Sequence, residues 1–325
     1  MRALLTGGAG YIGAVLIPMM LQRGYEVRVV DNGMFGYEAL PPGIDLIKAD
    51  VLDFKSEWLD GVDVVLHLAG LSNEPMAELF PHTNYLTNAA GTGIVAEAAK
   101  KAGIRRFIFA STCSVYGFAD TAFVDEETPS KPVFPYAISK LMAERALECM
   151  ADESFRPIML RKGTVVGWSP RMRFDLVVNT MIKTAITQKK VVVHNPSLWR
   201  PLLDVQDAAE AYLRAIDAED DVTGKFNIAY DNYTIGRLAD EVVEVLNEFN
   251  IKVQMDIQHR KDVRSYRVST QKASTVLDYR PRISMKESAR RIVRNILMDK
   301  IDINSSKYVN VEWMKQTIGK QATVS

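Results

Sequence analysis

The chain has 325 residues, of which 47% are hydrophobic and 25% charged, and its 40 basic residues balance its 40 acidic ones. This is enough chain for one large or two medium globular domains, and the charge balance excludes a nucleic-acid-binding surface or a polybasic membrane patch. Two cysteines are too few for a disulfide framework, and no apolar run approaches the ~20 residues of a membrane span. A strand-like run follows Met1 directly and leaves no room for a signal peptide, so we expect a cytosolic protein.

The N-terminal part of the chain predicts a strand, a glycine-rich turn, a helix and a second strand. The strands are expected at 2–6 and 26–31, and the helix at 14–23. In the turn, Gly7 permits a tight bend, Gly10 lets backbone amides reach a pyrophosphate at the positive helix end, and Gly13 lets the helix approach the strand. This order is the context that a dinucleotide-binding fingerprint requires; a glycine turn without a ligand is the alternative.

Asp31 ends the second predicted strand. A carboxylate there can accept hydrogen bonds from both ribose hydroxyls of the adenosine half of NAD, and it would repel the 2′-phosphate of NADP. We therefore predict NAD as the cofactor. The alternative is a structural role, in which Asp31 caps the turn that continues through Asn32 and Gly33.

Strands and helices continue to alternate through the first half of the chain. Ala69 and Gly70 follow one of these strands and would let a ligand pass close to the backbone. The alternation predicts a doubly wound parallel sheet of the Rossmann type, an α/β fold that binds ligands at the carboxyl ends of its strands. The strands are expected at 44–48, 62–68, 105–110 and 157–160, and a helix at 89–101 with Asn88 as its N-cap.

Tyr136 and Lys140 lie on a helix that is expected to follow Pro135 and to run to about residue 150, after a proline-containing loop at 121–135. Four residues of spacing put both side chains on one helix face, one turn apart. A free tyrosine ionises near ~10, so it is a poor base at neutral pH unless a nearby cation stabilises its anion. The pair taken alone also fits a solvated helix face; the dinucleotide pattern upstream favours catalysis.

The second half predicts a smaller α+β substrate domain that is interleaved with the first. Residues 302–325 carry little pattern, and we expect a loose tail or a strap on a partner subunit. Further elements are predicted as a strand at 191–194 and helices at 205–217, 235–249 and 286–298. The predicted boundaries are 1–165 for the NAD-binding domain, to which residues of about 201–229 return, 166–318 for the substrate domain and 319–325 for a tail.

In this order, the motifs resemble the extended short-chain dehydrogenase/reductase family, in its branch of NAD-dependent nucleotide-sugar epimerases and dehydratases. The resemblance implies that Tyr136 takes a proton from a sugar hydroxyl. It also implies that Lys140 lowers the pKa of Tyr136 and binds the nicotinamide ribose, and that Thr112 hydrogen-bonds the reacting oxygen. The matching segments are Thr6–Gly13, Asp31–Asn32, His67–Gly70, Asn88–Thr92, Ser111–Gly117, Tyr136–Lys140 and Arg200–Asp207.

We predict two further sets of residues, partly from this resemblance and partly from positions that depart from it, and no metal. In the substrate set, Asn179 would contact the sugar nucleotide near its diphosphate, which Arg200 would neutralise. The cofactor set is Gly7, Gly10, Tyr11, Ile12, Gly13, Asp31, Asn32, Asp50, Val51, Leu68, Ala69, Gly70, Asn88, Tyr136 and Lys140. The substrate set is Ser72, Glu74, Cys113, Ser114, Thr164, Asn179, Arg200, Arg260 and Arg264.

Several positions depart from the family pattern. Where the 4,6-dehydratases carry Asp and Glu after the threonine, this chain has Cys113 and Ser114, which cannot act as a carboxylate pair. Cys113 is either a reactive thiol or a small buried residue. Thr164 replaces the asparagine of the 4-epimerases. Glu74, in a loop at 71–76 that is unlike either group, is either an additional acid or base or an acid that caps the loop.

These features lead us to expect an NAD-dependent nucleotide-sugar epimerase, acting at C4 through a transient keto-sugar. The alternatives are a nucleotide-sugar dehydratase that uses other acids, such as Glu74, or an NAD(P)H-dependent ketoreductase. A cofactor-binding regulator without catalysis is a further alternative, although such a protein would be expected to lose Tyr136 or Lys140. The resemblance also implies a homodimer formed by the helices that follow residues 88 and 135.

Overall fold

Seven parallel strands form the central sheet of the computed structural model, which describes residues 1–118, 123–259, 265–298 and 301–321. The strands of the chain are β1 Arg2–Thr6, β2 Glu26–Asp31, β3 Asp45–Lys48, β4 Val64–His67, β5 Arg106–Thr112, β6 Arg156–Lys162, β7 Thr164–Val166, β8 Lys190–His194, β9 Trp199–Asp204, β10 Gly224–Ile228, β11 Asp231–Thr234 and β12 Gln254–Gln258. The central sheet has the order β10-β6-β5-β4-β1-β2-β3. The predicted doubly wound parallel sheet is therefore confirmed.

Helices cover both faces of this sheet. They are α1 Gly13–Gln22, α2 Glu74–Leu79, α3 Pro81–Tyr85, α4 Gly91–Lys101, α5 Pro135–Met150, α6 Val177–Gln188, α7 Val205–Ile216, α8 Ile235–Glu248, α9 Gln271–Val276, α10 Met285–Met298 and α11 Asn310–Gln321. One buried cluster joins α1 and α7 to the sheet, and a second joins α4 and α5 to its other face. Because both faces are covered, the middle parts of β1, β4 and β5 are continuous apolar runs rather than alternating ones.

The second half of the chain contributes to this sheet and also builds a smaller unit. Strand β10 pairs with β6 in parallel, so the chain returns to the edge of the sheet after α7. Sheets β11-β9-β7 and β12-β8, together with α6, α8 and α10, enclose a core of their own. The two units meet at the carboxyl ends of the central strands.

The structure corrects one predicted boundary near the site. Asn88 does not cap a helix, because it lies within a helical run that starts at Pro81 and continues through a π-helical turn, Leu86–Ala90, into α4. Its side chain instead donates hydrogen bonds to Leu71 O at 3.1 Å and Asn84 Oδ1 at 2.8 Å. These tertiary partners outweigh the local preference of asparagine for a capping position.

The C-terminal part also differs from the expectation. Residues expected to be a loose tail or a strap on a partner subunit include a helix, α11, which packs against α2 of the same chain. Within it Met314 is fully buried beside Leu71 and Met76. Helical structure extends to Gln321, past the predicted end of the substrate domain at 318.

Candidate active site

A cavity of about 570 Å³ lies at the carboxyl edge of the central sheet. Its walls come from the glycine turn, the ends of β2 and β5, the start of α5 and the segments 68–76, 162–165 and 171–177. The start of α11 forms a further part of the wall. All predicted cofactor residues line this cavity except Asn88, and Thr112, Ser72, Glu74, Ser114 and Thr164 line it too.

The glycine turn has no room for side chains. A Cβ atom on Gly7, whose φ is +70°, would lie 2.6 Å from Ala69 N, and one on Gly13 would lie 2.2 Å from Gly8 O. Both distances are far inside van der Waals contact, so only glycine fits. The backbone at the start of α1 therefore remains open to the cavity, as the binding of a pyrophosphate at a helix N-terminus requires.

Asp31 is held between the glycine turn and the loop after β2. Its Oδ2 accepts a hydrogen bond from Ala9 N at 3.0 Å and its Oδ1 accepts one from Gly33 N at 2.8 Å. Burial raises the pKa of Asp31, while these two amides oppose the rise. A carboxylate oxygen has a second lone pair, so each oxygen remains able to accept a ribose hydroxyl.

Asn88 lies directly behind Gly70. Asn88 Oδ1 is buried and accepts no hydrogen bond from the described residues. A Cβ on Gly70 would lie 2.2 Å from this oxygen and 3.3 Å from Lys140 Nζ. Glycine at position 70 therefore leaves the space into which Asn88 Oδ1 and Lys140 Nζ both project.

Tyr136 and Lys140 both lie in the cavity wall on the first turns of α5. Lys140 is only 3% exposed, and its Nζ lies 4.8 Å from the centre of the Phe109 ring. Burial lowers the pKa of Lys140 to about 7, which the carboxylate of Glu144 opposes. Burial and the charge of Glu74 raise the pKa of Tyr136, and a hydrogen bond with Thr112 opposes the rise.

This balance differs from the expectation that Lys140 lowers the pKa of Tyr136. In the protein without ligand, desolvation dominates for both side chains and favours the neutral form of each.

Glu74 begins α2 after Asn73, which caps that helix by accepting a hydrogen bond from Met76 N at 3.0 Å. The carboxylate of Glu74 reaches the other side of the cavity, where Oε2 accepts a hydrogen bond from Tyr136 N at 3.0 Å. Glu74 thereby caps the first turn of α5, where a negative charge is favourable. It lies beside the catalytic candidate and is 6% exposed.

Three predicted substrate residues do not reach the cavity wall. Cys113 is fully buried; its Sγ lies 3.0 Å from Arg161 O, and burial raises the pKa of its thiol. Asn179 is buried and holds a loop, since it donates to Arg173 O at 2.7 Å and accepts from Gly167 N. Arg200 lies on β9 and donates to Trp199 O at 2.9 Å.

None of the three lines the cavity, since Cys113 and Asn179 use their side chains in buried contacts and Arg200 contacts the neighbouring backbone; their roles toward a substrate stay predictions. The remaining two candidates, Arg260 and Arg264, lie outside the described residues.

Sequence reasoning missed several residues of the cavity wall. Lys162, at the end of β6, donates to Ser111 O and Tyr212 OH, each at 3.0 Å, and burial together with the charge of Lys140 lowers its pKa to about 7. Arg173 forms a buried pair with Asp175 at 2.7 Å. For Arg173 the sequence offers a signal, since it lies in a basic, proline-containing segment at 169–173. For Asn310, Val311 and Met314 there was no local signal.

The parallel sheet, the glycine turn and the Tyr–Lys pair on α5 define the class of protein as a short-chain dehydrogenase/reductase of the extended type. The model of the NAD dependent epimerase/dehydratase family matches residues 3–229, and the chain belongs to this family. It is an NAD-dependent enzyme of the epimerase/dehydratase type.

Similar proteins act on nucleotide sugars. The chain is 27% identical over 266 residues to the UDP-glucose 4-epimerase of Bacillus subtilis, covering 73% of this chain and 77% of that protein. It is 34% identical over 180 residues to the UDP-glucose 4-epimerase of Azospirillum brasilense, covering 53% of this chain and 51% of that relative. The match therefore spans about half the length of the latter relative. Other relatives are dTDP-D-glucose 4,6-dehydratases.

A solved structure has the same fold. The UDP-glucose 4-epimerase of Thermotoga maritima with UDP-glucose superposes with a TM-score of 0.83 and 26% identity, covering 93% of this chain and 100% of that one. Other similar structures contain NAD. No helix among the described residues combines the length and apolar character that crossing a membrane requires.

Proposed function

We propose that this enzyme is a nucleotide-sugar epimerase that inverts C4 of the sugar through a transient keto-sugar. The supporting observation is that two hydroxyl-bearing side chains, Tyr136 on α5 and Thr112 at the end of β5, line the same cavity as Lys140. Bound NAD supplies the hydride acceptor for the first half of the reaction and the hydride donor for the second. The residues of the chain then have to move one proton and hold one oxygen.

Tyr136 takes the proton of the sugar hydroxyl and returns it after the keto-sugar has turned. In its ammonium form, Lys140, one turn along α5, would act together with the positive charge of the oxidised nicotinamide against the burial that raises the pKa of Tyr136. Thr112 is kept in place by Ser114, whose amide donates to Thr112 Oγ1 at 3.1 Å. Its hydroxyl can therefore hold the reacting oxygen without moving.

The residues that follow Thr112 disfavour a dehydratase of the 4,6 type. Elimination of water requires an acid that protonates the leaving hydroxyl on one carbon and a base that removes a proton from the neighbouring carbon. The thiol of Cys113 is buried away from the cavity and remains protonated, and Ser114 is a neutral hydroxyl that accepts from Thr112 at 3.2 Å. The second candidate function is nonetheless a dehydratase that uses Glu74, because this carboxylate lies in the cavity beside Tyr136.

The deciding experiment is incubation of the purified protein with UDP-, GDP-, CDP- and dTDP-sugars without added reduced cofactor. An epimerase interconverts two sugars at equilibrium with no lasting change in the absorbance of reduced nicotinamide. A persistent keto-deoxy-sugar, lost in Glu74→Gln, would instead identify a dehydratase. A stoichiometric requirement for NADH or NADPH would identify a ketoreductase.

The proposal includes a nucleotide-diphosphate sugar as substrate, a homodimer and a cytosolic location.

A further inference from the structure

Arg171 is a buried cation whose direct hydrogen-bond partners among the described residues are neutral. It is 5% exposed; Nη2 donates to Asn310 Oδ1 at 2.6 Å and Nη1 to Met172 O at 3.3 Å. Its guanidinium carbon lies 4.0 Å from the centre of the Phe35 ring. Among the described residues it forms no ion pair with a carboxylate, whereas the nearby Arg173 pairs with Asp175.

A buried, unpaired guanidinium is costly unless an anion reaches it. Burial lowers the pKa of Arg171 to about 9, which expresses the same cost. A guanidinium also presents five N–H donors in a planar fork that fits the oxygens of a phosphate. The guanidinium of Arg171 therefore lacks a counter-ion, and an anionic ligand from outside the chain would supply it.

The position of Arg171 indicates which anion this is. Arg171 lines the same cavity as the glycine turn and interacts electrostatically with Asp31 and Tyr11. Tyr11 belongs to the turn that accepts a pyrophosphate, and Asp31 marks the place of the adenosine ribose. Phe35, under the guanidinium, belongs to the loop that follows Asp31. The cation thus lies at the pyrophosphate and adenosine end of the dinucleotide site.

The C-terminal segment fixes this cation in place. Asn310, the first residue of α11, is 2% exposed, and its Nδ2 donates to Ser72 Oγ at 3.3 Å while its Oδ1 holds Arg171. Trp313 Nε1 donates to Met34 O at 2.6 Å, in the loop after β2. Lys307 pairs with Glu38 of the same loop at 2.9 Å. The segment thereby connects the β2 loop, Ser72 and Arg171 around one end of the cavity.

We propose that Arg171 is a further cofactor-binding residue, which holds the pyrophosphate of NAD opposite the glycine turn, and that Asn310 is its positioning residue. The pyrophosphate replaces the missing anion, and α11 closes the cavity over it. This inference rests on NAD binding alone and holds for an epimerase, a dehydratase or a reductase. It gives the C-terminal segment a role in keeping the cofactor bound between turnovers.

The test compares Arg171→Gln, Asn310→Asp and the control Arg145→Gln, an exposed arginine on α5 that pairs with Glu148. Release of NAD from the loaded protein is followed after dilution into excess ADP-ribose, and affinities for NAD, ADP-ribose, adenosine and UDP are measured by equilibrium dialysis or competition. Arg171→Gln is expected to weaken the binding of NAD and ADP-ribose by about tenfold or more and to leave the binding of adenosine and UDP within about twofold. Adenosine has no phosphate and UDP is expected in the substrate site, so only NAD and ADP-ribose place a pyrophosphate where the charged hydrogen bond is lost.

Asn310→Asp separates binding from structure, because it keeps the shape of the side chain and supplies Arg171 with an internal anion. We expect this variant to melt at or above the temperature of the wild type and yet to release NAD faster, since the new carboxylate competes with the pyrophosphate. This variant carries the test if Arg171→Gln fails to fold.

Three outcomes would overturn the proposal. If Arg171→Gln lost equal affinity for adenosine and for ADP-ribose, Arg171 would have a general structural role. A loss confined to UDP would assign Arg171 to the diphosphate of the substrate. Wild-type NAD release in a stable Asn310→Asp would show that Asn310 does not position a cofactor-binding cation.

Discussion

Two lysines, Lys140 and Lys162, are buried at a cost to the free energy of unfolding. Lys140 and Lys162 are 3% and 6% exposed, and burial lowers the pKa of each to about 7. In the unfolded chain a lysine titrates near ~10.4. Between these two values the native state binds fewer protons than the unfolded state, so the free energy of unfolding rises with pH in this window and falls as the pH is lowered through it.

We predict that Lys140→Met stabilises the protein at neutral pH and abolishes turnover. The expected gain in the free energy of unfolding is on the order of 2 kcal/mol near pH 7, because the desolvation of the ammonium is removed, and it shrinks as the pH approaches about 10. Urea denaturation at a series of pH values, with matched NAD content, measures it. The control is Lys101→Met, an exposed lysine on α4 that pairs with Glu97. A pH-independent difference would contradict the prediction.

Tyr136→Phe removes the proposed proton acceptor and little else. The hydroxyl is the group that meets Thr112, whereas the backbone amide of residue 136, which donates to Glu74 at 3.0 Å, is unchanged. We expect turnover to fall by about 10²–10⁴-fold, the usual contribution of a positioned acid–base group. The affinity for NAD, measured by equilibrium dialysis, should stay within a few-fold. Turnover near the wild-type rate would refute the role of Tyr136.

At the scale of elements, a buried ion pair attaches the catalytic helix to the sheet. Glu144 of α5 accepts hydrogen bonds from Arg161 of β6 at 2.9 Å and 2.6 Å, and Ser111 of β5 donates to the same carboxylate. Both charged side chains are at most 1% exposed. Since Glu144 lies one turn beyond Lys140, this contact sets the position of the Tyr136–Lys140 face over the strand ends.

We predict that Glu144→Gln lowers the free energy of unfolding by about 3–5 kcal/mol, because it leaves the Arg161 cation buried without its counter-charge. The double variant Glu144→Leu with Arg161→Met should lose clearly less than the sum of its single changes. A double-mutant cycle by urea denaturation measures both. The surface pair Arg145–Glu148 on the same helix is the matched comparison, and breaking it should change stability by less than about 1 kcal/mol.

Elements with a strong local pattern could be predicted from the sequence. The bounds of β1 and β2 match the expectation, and the predicted helix of Tyr136 and Lys140 agrees with α5. The glycine turn and Asp31 could be predicted because the backbone geometry of such a turn requires particular residue types at fixed positions.

The rest depended on contacts between distant residues. Asn88 follows its tertiary partners rather than its capping preference, and Cys113 is turned away from the cavity by the packing of β5 on β6. Helix α11 has few apolar residues, and the burial of Met314 makes sense only beside Leu71 and Met76, which lie far away in the sequence. Contacts between residues so far apart in the sequence leave no local pattern from which they could be predicted.

At the scale of the whole molecule, the outer side of α4 and α5 carries apolar side chains in solvent. Met142 is 50% exposed and Ile94 36%, and Leu86 at the start of the same helical run is 38% exposed. Exposed apolar side chains grouped on two neighbouring helices favour a subunit interface. This is the surface that the resemblance assigns to a homodimer, and it forms part of our proposal.

We predict that Met142→Glu converts the homodimer into a monomer at micromolar concentration, since it buries a charge in an apolar interface. Size-exclusion chromatography with light scattering gives the mass directly. Val276→Glu is the control, because Val276 is 44% exposed on α9, away from this surface. A wild-type protein that elutes as a monomer, or a Met142→Glu dimer, would exclude this interface.

The order of the central sheet also bears on how the chain folds during synthesis. Strand β10 covers the edge of β6, yet 61 residues separate Lys162 from Gly224, so a ribosome-bound chain leaves that edge unpaired for an extended period. The residues that flank the edge, Ile158 to Leu160, are apolar and fully buried once folding is complete. Open apolar strand edges recruit other chains, and late, non-local pairing is slow. We therefore expect a chain that ends before β10 to aggregate more readily than the full chain.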